Sequence, residues 1–194
     1  MGRFNNNMWD RWNPSTHYGY SDFVFNPTGQ TLVTGGGVLF GGAYANTPAE
    51  VNALITDTVA DLTNPGAFSN WTALLEDTTS FPCMVQFVGL GYGSPSAQGC
   101  IGWYTPSDMT SGRGFRAAIE IDGTTVLDGY VLATGSQIQG SLAFGPISGR
   151  GGTYGWVSIP FLVNTSLKIY AVREGNADGT GTTFAVSSFV KVAD

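Results

Sequence analysis

The chain has 194 residues, 42% of them hydrophobic, with 28 glycines set against eight Lys and Arg, 14 Asp and Glu and one His. Charged residues make up 11%, against roughly 25% in an ordinary soluble domain, and the net charge is −6. This balance excludes a nucleic-acid partner, which needs clustered cations to neutralise phosphates, and leaves little material for acid–base or metal chemistry.

Five Trp, eight Tyr and twelve Phe supply enough apolar area for a core, so the chain as a whole is not disordered. A free monomer keeps itself dispersed with surface charge. A chain that omits charge is expected to have much of its surface covered by neighbours.

The N-terminus, Met-Gly-Arg-Phe-Asn-Asn-Asn, has no apolar core of a signal peptide. No run approaches the roughly eighteen apolar residues of a membrane span, so neither export nor a membrane is expected. On that reading the sequons at Asn70 and Asn164 are accidental. Residues 1–20 follow neither helical nor strand periodicity but carry Phe4, Trp9, Trp12, Tyr18 and Tyr20. Large aromatics are the usual anchors of interfaces, so Trp9, Trp12, Tyr18 and Tyr20 are expected to form an interaction arm. The arm docks either on its own domain or on a neighbouring subunit.

From Asp22 short strands are expected, at Asp22–Phe25 and Thr31–Thr34, divided by the turn signal Asn26-Pro27-Thr28-Gly29. Gly35-Gly36-Gly37 and Gly41-Gly42 match neither Gly-x-Gly-x-x-Gly nor a phosphate loop, so they read as turns about Val38-Leu39-Phe40. A helix is predicted over 47–63. Thr47 is the cap, Pro48 the first helical residue and Glu50 the third position of a capping box. Val51, Leu54, Ile55, Val59 and Leu62 then form one apolar stripe. A second short helix is expected over 69–77.

From residue 83 the pattern is β. Strands are predicted at Met84–Leu90, Phe115–Ile121, Thr124–Tyr130, Gln137–Phe144, Tyr154–Phe161, Ser166–Val172 and Thr183–Val192. Asp122-Gly123 suits the two positive-φ positions of a type I′ turn, which pairs Ile121 with Thr124, Ile119 with Val126 and Phe115 with Tyr130. The expected fold is mainly β: an antiparallel β-sandwich or jelly roll with one or two short helices and an extended N-terminal arm. It divides into the arm at 1–20, a mixed subregion at 21–82 and the sandwich at 83–194.

Chemistry is sparse. His17 lies in the arm away from any ordered acid, and a nucleophilic triad needs its base held by a third group. One His with Cys83 and Cys100 makes no zinc set; the two cysteines are either a loop-closing pair or buried small hydrophobes. Glu120 and Asp122 share a strand face, but Asp122 belongs to the turn and Asp108 to a polar loop, which leaves no carboxylate pair for hydrolysis. Glu174, Asn176 and Asp178 alternate as calcium ligands do, yet lack the later ligands of such a loop. Trp103, Tyr104, Tyr154 and Trp156 border glycine-rich loops and are the candidate ligand-binding residues, by stacking on a sugar. No catalytic residue, metal or cofactor is expected.

The segment Tyr154-Gly-Trp-Val-Ser-Ile-Pro-Phe-Leu-Val-Asn-Thr-Ser-Leu-Lys-Ile-Tyr resembles a strand–turn–strand, "Ile-Pro-Phe … Ser-Leu-Lys-Val", of tailed-bacteriophage virion proteins. Those are β-sandwich modules of capsid decorations, head fibres and tail fibres or adhesins. The resemblance implies a homo-oligomer, often a trimer, made in the host cytoplasm and fixed to a virion by one end among other virion proteins. The function expected is a non-enzymatic structural subunit. The alternative is an adhesin module that binds a receptor or host surface glycan.

Overall fold

The computed structural model describes residues 23–26, 29–32, 38–88, 100–105, 113–133, 138–142, 147–148, 157–158 and 160–193. Over these the chain is mainly β. The strands, in order, are β1 (Phe23–Asn26), β2 (Gly29–Leu32), β3 (Val38–Phe40), β4 (Ala43–Ala45), β5 (Thr58–Val59), β6 (Thr72–Asp77), β7 (Cys83–Val88), β8 (Ile101–Thr105) and β9 (Arg113–Ile121). They continue with β10 (Thr124–Ala133), β11 (Ile138–Leu142), β12 (Ile147–Ser148), β13 (Val157–Ser158), β14 (Phe161–Val163), β15 (Leu167–Glu174), β16 (Thr183–Val186) and β17 (Ser188–Ala193). One α-helix, α1 (Pro48–Leu54), lies between β4 and β5.

Among the described residues the strands form four sheets. β1 and β2 pair alone, while a five-stranded sheet runs β10-β9-β15 and continues to β5 and β6 along the two halves of β15. A four-stranded sheet runs β11-β8-β16-β4, and a six-stranded sheet β12-β13-β7-β17-β3 with β14 also on β7. All pairings are antiparallel except β15 with β5.

Thr47 caps the helix as expected, but the return bond from Glu50 lands one residue before the cap and the helix is short. Thr47 Oγ accepts the Glu50 amide at 3.3 Å, and Glu50 Oε2 reaches back to the Asn46 amide at 3.0 Å. The helix ends at Leu54, and Ile55 is already extended. The apolar stripe that predicts a helix to 63 is divided between two places. Val51 and Ile55 enter the main core, whereas Leu62 packs on the far side of the five-stranded sheet. Capture of Thr58–Val59 as a parallel partner of β15 outweighs helical periodicity here. The helix expected over 69–77 is likewise replaced, by a 3₁₀ turn (Phe68–Asn70) and by β6, whose ladder with β15 claims its backbone.

The Asp122-Gly123 hairpin is present. Both residues have positive φ, 51° and 76°, and Ile121 pairs with Thr124. A bulge between Thr125 and Leu127 then shifts the register by one residue. Ile119 consequently faces Leu127, Phe115 faces Val131, and Tyr130 moves to the opposite face, across from Arg116.

The stretch expected as one strand at 183–192 breaks at Ser187. β16 enters the four-stranded sheet and β17 the six-stranded one. Its neighbour β3–β4 switches sheets beside it, at Gly41-Gly42. Ser188 Oγ donates to Gly41 O at 3.0 Å, and a methyl group on Gly42 (φ 84°) would lie 2.8 Å from Val186 O. Only glycine suits that approach. The segment 154–170 is a strand–turn–strand in its described part, but β14 and β15 join different sheets instead of pairing with each other.

The main core draws on all three larger sheets and on α1. It includes Trp103, Phe87, Phe115, Phe184, Phe189, Ile119 and Ile169. Cys83 and Cys100 are buried in it as thiols. A second, smaller cluster on the rear of the five-stranded sheet holds Leu62, Trp71, Ala118, Tyr170 and Val172. No helix among the described residues is long and apolar enough to cross a membrane, which says nothing of a β-barrel.

Candidate functional site

The described surface with the most chemistry is the rear of the five-stranded sheet. Strand alternation sends Phe115, Ala117 and Ile119 of β9 into the main core and Arg116, Ala118 and Glu120 to the rear. Register then aligns rear rows across the sheet: Tyr130 with Arg116, Asp128 with Ala118 and Tyr170, and Glu120 with Lys168 and Glu76.

Arg116 organises one end of this face. Its Nε and Nη2 donate to the two carboxylate oxygens of Asp128 at 2.8 and 2.9 Å, and Nη1 donates to Leu62 O at 2.6 Å. The guanidinium lies 5.7 Å from the Trp71 ring centre and 5.4 Å from that of Tyr130. Bonding to Asp128 raises the Arg116 pKa further, against a smaller opposing effect of burial. At the other end Lys168 Nζ lies 3.3 Å from Glu120 Oε1, and the Tyr170 hydroxyl donates to Glu76 Oε1 at 3.0 Å. Its hydrogen bond to Glu120 raises Lys168; burial, then the bond to Glu76, raises Tyr170. Phe68 stacks on Tyr170 at 5.2 Å and meets Trp71 edge-on at 4.9 Å.

At the hairpin tip the Asp122 carboxylate accepts the amides of Asn164, Thr165 and Ser166, together with Asn164 Nδ2 and Thr165 Oγ, at 2.7–3.1 Å. Burial alone would raise its pKa, but these donors win and hold it far below the usual carboxylate range. Asp122 is a structural clamp.

The loop expected as a polar turn or a weak calcium site is filled by arginines. Arg173, 7% exposed, donates Nε to Ile55 O at 2.6 Å and Nη1 to both Gly175 O and Asn176 Oδ1. Asp178 lies 3.8 Å from Arg113. Asn52 of α1 exchanges two hydrogen bonds with the backbone of Ala177, which fixes the loop to the helix. Asn176 and Asp178 are thus engaged by two different guanidinium groups. Among the described residues no group of three His, Cys, Asp or Glu converges on one point.

Of the aromatics expected to bind a sugar, Trp103 is 1% exposed and sits in the main core, so it has no ring face to offer a ligand. Its position on β8 between Phe184 and Gly140 partners explains this: its face of the strand is the core face. Tyr104 is the next residue of β8; its side chain, Tyr154, Trp156 and the arm residues Trp9, Trp12, Tyr18 and Tyr20 lie outside the described residues, as do His17 and Asp108. Glu120 is tied to Lys168 and Asp122 to the 164–166 turn, so these two carboxylates are engaged separately.

The sequence carries no site role for Arg116, Asp128, Tyr130, Lys168 or Tyr170: Tyr130 is expected only as the hairpin partner of Phe115, and Lys168 and Tyr170 only as part of the 154–170 segment. The available signal was the alternation of Arg116 and Glu120 against Ile119 and Ile121. The bulge that brings Tyr130 to their side has no such signature. Comparison with family models, curated proteins and solved structures finds no match to this chain.

Proposed function

We propose that this chain is a non-enzymatic structural subunit of a virus particle. In this reading an antiparallel β-sandwich of jelly-roll type packs against neighbours, and the aromatic arm at 1–20 docks on an adjacent subunit through Trp9, Trp12, Tyr18 and Tyr20.

One observation carries the reading: among the described residues, many of the charged side chains hold the chain together. Asp122 clamps two turns, Asp61 and Asp77 bond the turns that follow them, Arg116 pairs with Asp128, Lys168 with Glu120, and Arg173 fastens a loop to α1. Asp61, Asp77 and Asp122 are shifted down, and Lys168 and Tyr170 up, away from the neutral range in which a general acid or base works. Among the described residues Val38, Val126, Tyr130 and Leu162 stay exposed, apolar area that contact with other protein would cover. The resemblance of 154–170 to virion proteins of tailed bacteriophages supplies the class of particle.

The test is incorporation. Particles assembled with the full chain should contain it in fixed stoichiometry, and deletion of 1–20 should abolish incorporation while the remaining chain keeps its β circular-dichroism signal. Unchanged incorporation refutes the role of the arm. Specific binding on a glycan array, lost in Trp156→Ala, would replace this reading by the adhesin one.

A further inference from the structure

We propose that residues 60–71 form a strap that opens as a unit while the main core stays closed, and that Arg116 is its latch. The strap leaves β5 and returns as β6, crossing the rear of the five-stranded sheet. Its ends are tied together. Thr72 Oγ accepts the Asp57 amide at 2.9 Å and donates to Asp57 Oδ2 at 2.8 Å. Beyond that closure the segment is an Ω-type loop, anchored where β5 and β6 join β15.

The hydrogen bonds within the strap survive its movement. The amides of Asn64, Asn70 and Trp71 donate to Asp61 O, Ala67 O and Phe68 O, all inside the segment. Asp61 Oδ1 accepts from the amide and hydroxyl of Thr63. Lifting the strap breaks none of them.

What the strap buries is separate from the main core. Leu62, Trp71 and Phe68 rest on Ala118, Tyr170 and Val172, and this cluster shares no residue with the larger one. Opening therefore exposes one small apolar face and leaves the inner side of the sheet packed. Such separately packed units open below the free energy of global unfolding.

The latch is polar. Arg116 Nη1 reaches Leu62 O at 2.6 Å and Thr63 O at 3.5 Å, and the bidentate pair with Asp128 aims it there. Against it works Trp71 Nε1, buried without a hydrogen-bond partner in a residue 4% exposed. A dehydrated donor is a cost carried only by the closed strap, and water satisfies it once the strap lifts. Closure is thus held by one guanidinium and one small apolar cluster and opposed by one orphan indole. The inference holds whatever partners the chain has.

Native-state hydrogen exchange followed by NMR in low denaturant tests this on the full chain and on Arg116→Met and Asp128→Asn. In the unaltered chain the Trp71 indole N–H, shielded by burial alone, should be less protected than the amides of Ile169 and Ala171, with a weaker denaturant dependence. Each variant should widen that ratio, Arg116→Met by about tenfold or more. Asp128→Asn keeps the test valid if Arg116→Met does not fold. Exchange of strap and β15 through one opening with one denaturant dependence, or a ratio unchanged in the variant that folds, overturns the proposal.

Discussion

Asp122 and Thr165 are bound twice: the Thr165 amide donates to Asp122 Oδ1 at 2.7 Å and its hydroxyl to the same oxygen at 3.1 Å. The pair joins the β9–β10 hairpin tip to the turn at which the chain leaves the six-stranded sheet for the five-stranded one. Asp122 also donates its own amide to Ser166 O at 3.0 Å. A left-handed residue at a hairpin tip thereby becomes a joint between two sheets.

Asp122→Ala should lower stability by about 2 kcal/mol, since several charge-assisted bonds are lost together and their donors turn to water. Asp122→Asn should lose less. Midpoints of urea unfolding measured at neutral pH check the order.

The same carboxylate sets a pH dependence. Its folded pKa lies below its unfolded one, so its contribution is complete above the unfolded value and is lost as pH falls toward the folded value. Unfolding midpoints should therefore fall from about pH 5 downward, and more steeply in the unaltered chain than in Asp122→Asn. Parallel curves would assign the acid sensitivity elsewhere.

Gly42→Ala should be disproportionately costly, about 1–3 kcal/mol, because it combines a positive φ with a collision against Val186 O. Gly123 also has positive φ but open space around it, so Gly123→Asn should be nearly neutral. Thermal midpoints of the two variants separate close approach from conformation alone.

Trp103→Ala should destabilise by about 3–5 kcal/mol through the cavity it leaves in the main core. Calorimetry should show that loss, and any effect on ligand binding should track the folded fraction. Thr47→Ala, by contrast, should cost about 1 kcal/mol, the usual effect of losing a helix cap.

Short-range chemistry was legible in the chain itself. The cap at Thr47, the start at Pro48 and the turn at Asp122-Gly123 follow from residues adjacent in sequence, so they are readable wherever the chain goes. The alternating pattern after residue 83 announced strands for the same reason. It also put Ile119 and Glu120 on opposite faces of their strand.

Long-range competition decided the rest. Val59 and Leu62 continue a helical stripe, yet the backbone at 58–59 pairs with β15 and Leu62 goes to the rear cluster. Ser187 divides an unbroken alternation because two sheets compete for its halves, and the bulge at Val126 turns Tyr130 to the side of Arg116. A strand side chain has only two faces, and the sequence states their alternation without stating which face meets the core. That choice belongs to partners far away along the chain, whose packing outweighs local preference by its larger buried area.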